Sequence, residues 1–188
     1  MKINNEKRVF IGIPIGYKIK SILPSIKSAL NSISGHIKWV PIENMHLTLY
    51  FLGNTSDRII PDVIQSLKNE VTTKYFKLII KGAGVFPSFK SPKVLWLGID
   101  KGIAKLTLLQ YQVENSVRKF NENSEELTFI PHITFARIRQ VLGKIDVLPF
   151  LNTVYSPIEL DINSICLYES ILLPEGTRYT VLIEFPLN

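Results

Sequence analysis

Runs of Ile, Val, Leu and aromatic residues, either continuous or alternating with polar residues, predict a chain rich in strands. The first run is RVFIGIPI at residues 8–15, and the last is RYTVLIEF at residues 178–185. β-Branched and alternating runs of this length are typical of strands that are buried on one or both faces. The other predicted extended segments are residues 37–53 with a break at Pro41, 76–86, 93–99, 132–138 and 156–170. PSFKSP and LPEGT are turn signals between strands.

Three stretches instead repeat apolar residues every three or four positions, which predicts amphipathic helices. They are residues 18–34, 54–73 and 103–120. We expect Pro24 to interrupt the first helix and Gly35 to end it, because proline lacks an amide donor and glycine tolerates the C-terminal turn. The polar segment NENSEEL, residues 121–127, predicts a loop.

The mixed order of helices and strands, with short connections that suit antiparallel pairing, predicts an α+β fold. The second half of the chain restarts with a helix followed by strands, and each half contains one strand with the same polar motif. We therefore expect two similar lobes with a cleft between them. A chain of 188 residues fits one such domain, residues 1–188.

The repeated motif is a histidine followed two residues later by a threonine, within an apolar strand. In MHLTLYFLG, alternation places His46 and Thr48 on one face, with Leu47, Leu49 and Phe51 on the other. A single histidine of this kind is more often structural than catalytic. The spacing repeats in IPHITFARIR, at His132 and Thr134, so two of the three histidines share it. The third, His36, lacks it and is expected in a loop or at a strand edge.

Two imidazoles suit a reaction that needs one base and one acid near neutral pH. In-line cleavage of a phosphoester has this demand: one histidine activates water and the other protonates the leaving oxygen. The threonine hydroxyls can donate hydrogen bonds to the non-bridging phosphate oxygens. Two such strands facing each other across a cleft would direct all four groups at one phosphate.

Other kinds of site fit the sequence less well. A catalytic zinc site usually needs a third protein ligand; Glu43 precedes His46 by three residues, and no acidic residue flanks His132. We therefore expect no metal. No G-x-S-x-G elbow supports a serine nucleophile, and no glycine-rich loop ends in Lys-Ser or Lys-Thr.

Composition adds a basic balance, with 22 Lys and Arg against 16 Asp and Glu and a net charge of +6. The excess lies in residues 1–100, whereas residues 101–188 are slightly acidic. A basic half could attract a polyanion such as RNA, although a solvated lysine-rich surface explains the same charge. The single cysteine, Cys166, suits a reducing compartment and a buried structural thiol. We expect a cytoplasmic protein without a signal peptide or membrane span.

The chain resembles the 2H phosphoesterases, named for two H-x-[ST]-x motifs, and within them the RNA 2′,3′-cyclic phosphodiesterases, formerly called 2′-5′ RNA ligases. The resemblance covers about residues 8–187. It includes HLTL and HITF, together with KWVPIENMHLTLYFLG, GVFPSFKSPKVLWLGI, PHITFARIR and LYESILLPEGTRYTVLIEFPL. The sequence departs from the family pattern at Tyr50, where a basic residue is common, and at Phe135, where Leu is common.

This resemblance implies two pseudo-symmetric lobes, each an antiparallel sheet with outer helices, around a central cleft. It implies His46 as general acid, His132 as general base, and Thr48 and Thr134 as phosphate ligands. Arg137 matches a basic family position and would help to bind phosphate or RNA. Strict alternation puts it opposite His132, so a bulge or a long reach is required; a structural ion pair is the alternative.

The implied reaction converts a 2′,3′-cyclic phosphate at an RNA end into a 2′-phosphate, with no cofactor. The reverse joining of ends through a 2′-5′ link would be a minor activity. No protein partner is implied, and we expect a monomer. Two alternatives stay open at this point: a 2H enzyme acting on small cyclic phosphates or 2′-5′ oligonucleotides, and a basic RNA-binding protein without turnover.

Overall fold

Nine strands form one antiparallel sheet in the part of the chain that the computed structural model describes, residues 6–30, 35–121, 128–141, 145–174 and 176–188. The strands are β1 Glu6–Pro14, β2 Gly35–Trp39, β3 His46–Ser56, β4 Phe76–Ser88, β5 Ser91–Lys101, β6 Ile133–Val141, β7 Ile158–Ile162, β8 Ser164–Leu173 and β9 Gly176–Pro186. The α-helices are α1 Leu23–Ser28, α2 Ile60–Glu70, α3 Ile103–Val117 and α4 Leu148–Leu151, and 3₁₀ turns cover Gly16–Ile22, Ile42–Asn44 and Arg118–Phe120.

The sheet consists of two halves, and each half contains one motif strand. One half has the order β7-β4-β5-β6, with β2 also paired to β6, and the other has the order β3-β1-β8-β9. The halves meet where β3 and β6 pair antiparallel through Leu47 and Ile133. Each of these residues directly follows a motif histidine. The structure confirms the predicted α+β class and antiparallel pairing, and it places both motifs at the junction of the halves.

The core lies on the sheet face away from the motif side chains. Leu47 and Leu49 of β3 are at most 3% exposed, and Ile133 and Phe135 of β6 are fully buried. Helix α3 packs against β3 and α2 on this face and buries Leu106, Leu109, Val113 and Val117. Full burial of such side chains is worth about 1.5–3 kcal/mol each. The motif strands β3 and β6 are therefore held in place by a well-packed core.

The first predicted helix is much shorter in the structure than its apolar spacing indicates. Residues 16–22 form a 3₁₀ turn, and the α-helix begins at Leu23, with Pro24 in its first turn. The predicted interruption at Pro24 falls at this junction, where proline is compatible with the first turn of the α-helix because its missing amide leaves no bond unmade. Gly35 opens β2 rather than ending the helix. The intervening residues 31–34 lie outside the described part of the chain.

The second predicted helix starts later than its polar opening indicates. Residues 54–56 continue β3, which pairs with β1 as far as Ser56, and α2 begins only at Ile60. The third predicted helix is confirmed as α3 followed by a 3₁₀ turn. Most of the loop predicted at 121–127 lies outside the described residues. No described helix is long and apolar enough to span a membrane.

Candidate active site

The pairing of β3 with β6 brings the two motifs together around one point. Because the strands are antiparallel and Leu47 faces Ile133, extending the register by one residue places His46 near Thr134 and Thr48 near His132. All four side chains line one cavity of about 410 Å³. A volume in this range is typical of small-molecule and cofactor sites. The predicted pair of His-x-Thr strands thus converges on a single cleft.

A bulge in each motif strand changes which side chains reach this cavity. In β3, Tyr50 pairs with Ile11 and Thr48 pairs with Gly12, so Leu49 is extra. In β6, Phe135 is extra in the same way against β5. Each bulge lies three residues after the motif histidine. An extra residue reverses the alternation that follows it.

The reversal brings the residue five positions after each histidine onto the cavity wall, namely Phe51 in β3 and Arg137 in β6. A bulge or a long reach was predicted for Arg137, and the structure shows the bulge. Alternation predicted that Phe51 lies on the same face as Leu49, and this was wrong: Phe51 is 45% exposed, and Leu52 is buried instead. Tyr50 packs against the core and does not line the cavity.

The same backbone contact orients both imidazoles. Nδ1 of His46 lies 2.7 Å from the carbonyl oxygen of Asn44, and Nδ1 of His132 lies 2.8 Å from that of Ile130. A carbonyl oxygen only accepts hydrogen bonds, so Nδ1 must carry a proton in each ring. This fixes the tautomer and leaves Nε2 of each histidine as the atom that exchanges a proton with a ligand.

Aromatic rings pack around each histidine and shield part of it from water. His46 lies 4.6 Å from the ring centre of Phe10 and 4.9 Å from that of Tyr179. His132 lies 5.0 Å from Phe86, edge to face, and 6.1 Å from Trp96. Packed rings of this kind restrict the rotamers of the imidazoles. They also lower the local dielectric, which strengthens electrostatic interactions within the cleft.

This burial lowers the pKa of both histidines in the empty cleft. Desolvation lowers the pKa of His46 from 6.5 to about 4; the Asn44 carbonyl opposes this, and the positive charges of His132 and Arg137 add to it. Desolvation also lowers the pKa of His132, opposed by the Ile130 carbonyl and aided by Arg137. Both imidazoles are therefore largely neutral at neutral pH until an anion enters the cleft.

The lowered pKa values predict that kcat/KM is highest below pH 6.5 and falls about tenfold per pH unit on the alkaline side. The free enzyme is active when the histidine pair carries one proton. The value of kcat/KM is therefore proportional to the fraction of free enzyme with a singly protonated pair. A bound phosphate anion raises both pKa values, so the alkaline limb of kcat should lie at higher pH. Initial rates between about pH 4 and pH 9 measure both limbs. A kcat/KM that stays constant above pH 6.5 would contradict the lowered values.

The cavity wall is strongly basic. Arg8, Arg137 and Arg139 line it, and none of its described lining residues is acidic. Such a wall favours an anionic ligand over a cation. In the described part of the chain, no group of three or more His, Cys, Asp and Glu is arranged to hold a metal ion.

Several wall residues carry no motif signal and were missed by sequence reasoning: Arg8 of β1, Asn44, Phe51, Arg139 and Tyr179 of β9. Their spacing in the chain gives no hint of a shared cleft, because four different strands and one turn contribute them. Asn44 and Phe51 are close to the first motif in the chain, two residues before and five residues after His46. His36 lies exposed on β2, which pairs only with β6 among the described strands, as its predicted strand-edge position requires.

Comparisons with known proteins agree with this arrangement. A model of the family described as LigT like phosphoesterase matches residues 18–96, which include the first motif strand. An RNA 2′,3′-cyclic phosphodiesterase of Aquifex aeolicus is 35% identical over 96% of this chain and 97% of its own length. A protein of the same name from Thermotoga maritima is 33% identical over 94% of each chain.

The fold is also similar to that of a solved structure. E. coli LigT, crystallised with 3′-AMP, superposes with a TM-score of 0.77 at 23% identity. The match covers 97% of this chain and 99% of the other. At this identity the likeness concerns the fold alone.

Proposed function

The chain belongs to the RNA 2′,3′-cyclic phosphodiesterase family, and we propose that it hydrolyses the 2′,3′-cyclic phosphate at an RNA end to a 2′-phosphate. The observation that best supports this proposal is the convergence of His46, Thr48, His132 and Thr134 on one basic cavity. A cyclic phosphodiester carries a single negative charge, which suits a wall with three arginines and no described carboxylate.

In the proposed reaction, Nε2 of His132 takes a proton from water as the water oxygen attacks phosphorus. Nε2 of His46 gives its proton to the ribose O3′ as the P–O3′ bond breaks. The phosphate stays on O2′, and O3′ leaves as a hydroxyl. One proton is taken up and one is given, so the total charge of the histidine pair is unchanged. Proton exchange through solvent then returns each imidazole to its starting protonation state.

The low pKa of His46 is compatible with an acid role only when substrate is bound. Burial lowers it to about 4 in the empty cleft, mainly by desolvating the imidazolium. A phosphate anion beside Nε2 places a negative charge next to the imidazolium, which stabilises the imidazolium and raises the pKa of His46. In this mechanism His46 takes up a proton when the substrate binds. Its burial still favours the neutral imidazole, so the proton is readily given to the leaving oxygen.

The threonine hydroxyls and Arg137 hold the phosphate in the proposed complex. Thr48→Val and Thr134→Val are each expected to lower kcat/KM by about 10- to 100-fold, since a hydrogen bond to a charged group is worth about 1.5–3 kcal/mol. Threonine to serine changes at the same positions keep the hydroxyl and serve as matched controls. Steady-state kinetics on RNA with a cyclic phosphate end measures the losses. A serine variant as weak as its valine counterpart would argue against a hydroxyl role.

The finer features of the proposal concern cell compartment, assembly and the reverse reaction. We expect a monomer acting on RNA in the cytoplasm, and the burial of the lone Cys166 suits a reducing compartment. Joining of RNA ends through a 2′-5′ link would be a minor reverse activity of the same site. Light scattering coupled to size exclusion tests the monomer.

A comparison of three substrates tests the proposed activity against its alternatives. RNA ending in a 2′,3′-cyclic phosphate should be turned over with a higher kcat/KM than a 2′,3′-cyclic mononucleotide or a 2′-5′ oligonucleotide. Preference for either of the other two would assign the same site to a different substrate. Binding of RNA without conversion of its end would instead support a binding protein.

A further inference from the structure

The main cavity continues into a smaller cavity of about 70 Å³. Asn44, Arg137 and Arg139 line both cavities, whereas Lys38 and Trp39 line only the smaller one. This volume is far below that of sites that hold a whole nucleotide. The side cavity therefore fits one compact group attached to a ligand whose main part occupies the larger cavity.

Cationic side chains are concentrated at this side cavity by strand pairing. Lys38 of β2 is the register partner of Arg137 of β6, so the two side chains are cross-strand neighbours. Arg139 lies two residues further along β6, at a bulge opposite β2. The Lys38 ammonium lies next to Gly176, on the side where a side chain of that residue would stand. Three cationic side chains therefore line the side cavity.

Nothing described in the protein neutralises the two arginines. Neither Arg137 nor Arg139 forms an ion pair with a described carboxylate. The described residues that line the side cavity include no acidic residue. Guanidinium groups that face a cavity and have no carboxylate partner among the described residues are typical of an anion-binding site.

We propose that this side cavity is a second anion subsite, which binds the phosphodiester joined to O5′ of the terminal nucleotide. The inference rests on the proposed function, because the reacting cyclic phosphate at O2′ and O3′ defines which nucleotide occupies the main cavity. A cyclic mononucleotide with a free 5′ hydroxyl has no group for the subsite. The subsite therefore makes the enzyme prefer RNA ends over cyclic mononucleotides.

The sharpest test compares two dinucleotides that differ only in the charge of their linkage. Both end in a 2′,3′-cyclic phosphate; one has a natural phosphodiester and the other an uncharged methylphosphonate. We expect about tenfold higher kcat/KM for the charged dinucleotide, the effect of one charge-assisted contact. A plot of log kcat/KM against log salt concentration should have a slope that is more negative by about 0.7 for the charged dinucleotide, the value for one more phosphate contact. Equal kcat/KM for the two dinucleotides would overturn the proposal.

Variants then locate the contact. Lys38→Ala and Arg139→Ala should each reduce the ratio of kcat/KM between charged and uncharged dinucleotides, and the double variant should bring it close to one. Arg58→Ala is the matched control, because Arg58 is exposed, follows the far end of β3 and lines neither cavity. An unchanged ratio in the double variant would place the charge contact elsewhere and refute the subsite.

This design separates failure of the subsite from failure of the proposed activity. Absence of turnover on both dinucleotides would refute the proposed function and the subsite together. Turnover of both at the same rate would refute the subsite alone. A folded state in each variant is verified by its thermal unfolding midpoint before the ratios are compared.

Discussion

His46→Ala and His132→Ala are each expected to lower kcat on RNA with a cyclic phosphate end by about 10² to 10⁴-fold. Loss of a positioned acid or base typically costs this much, equivalent to roughly 3 to 5 kcal/mol in the activation free energy. The losses should not add in the double variant, because both imidazoles act on one transition state. Single-turnover rates measure the chemical step directly.

His36→Ala is the matched control for this prediction. His36 lies exposed on β2 and lines neither cavity, so its removal should leave kcat within about twofold of the wild type. The thermal unfolding midpoint of each variant separates lost catalysis from lost folding. A His46 or His132 variant that is folded and keeps more than a tenth of the activity would exclude an essential acid and base pair.

The second large effect concerns which histidine is the acid. A phosphodiester with a 4-nitrophenolate leaving group needs little protonation, so it should restore most of the rate lost in His46→Ala. The same substrate should restore little in His132→Ala, because activation of water is still missing. The expected difference between the variants is on the order of 10² or more, the contribution of one general acid.

The outcome of the leaving-group experiment has a clear alternative reading. Rescue of His132→Ala alone would exchange the two roles. Burial lowers the pKa of His46 to about 4 and favours the neutral form that a base requires. Equal rescue of both variants would show that neither histidine acts solely as the acid. In both cases the pair would remain at the centre of the site, with the family-based role assignment refuted.

Much of the fold and the centre of the site follow from local sequence patterns. Strand alternation located β3 and β6, and the repeated His-x-Thr spacing identified four of the side chains that line the cavity. Both patterns depend only on the two-residue period of a strand, which is a local property of the chain. The predicted core positions Leu47 and Leu49 are buried for the same reason.

The remaining features depend on pairing between distant strands. The bulges at Leu49 and Phe135 are defined by their partners in β1 and β5, so a local pattern cannot reveal them. They decide that Phe51 and Arg137 reach the cavity and that Tyr50 does not. The need for a bulge at Arg137 was foreseen only because the family resemblance required that residue at the site.

The positively charged walls were equally beyond local reasoning. Arg8 lies 124 positions before His132, and only the pairing of β1 with β3 brings it to the cleft.

The helix ends were misjudged for a related reason. Polar residues 54–56 have the composition of a helix start, yet pairing with β1 keeps them in β3. Tertiary hydrogen bonding overrides such local preferences.

Identification of the product formed in the presence of EDTA tests the central claim most directly. The protein is incubated with RNA ending in a 2′,3′-cyclic phosphate, and the new terminus is identified by its sensitivity to phosphatase and by comparison with synthetic 2′- and 3′-phosphate ends. Acid and base catalysis by His46 and His132 predicts complete conversion to a 2′-phosphate, with the same rate with and without EDTA. Formation of a 3′-phosphate, or loss of activity with EDTA that returns on adding zinc or manganese, would contradict the account.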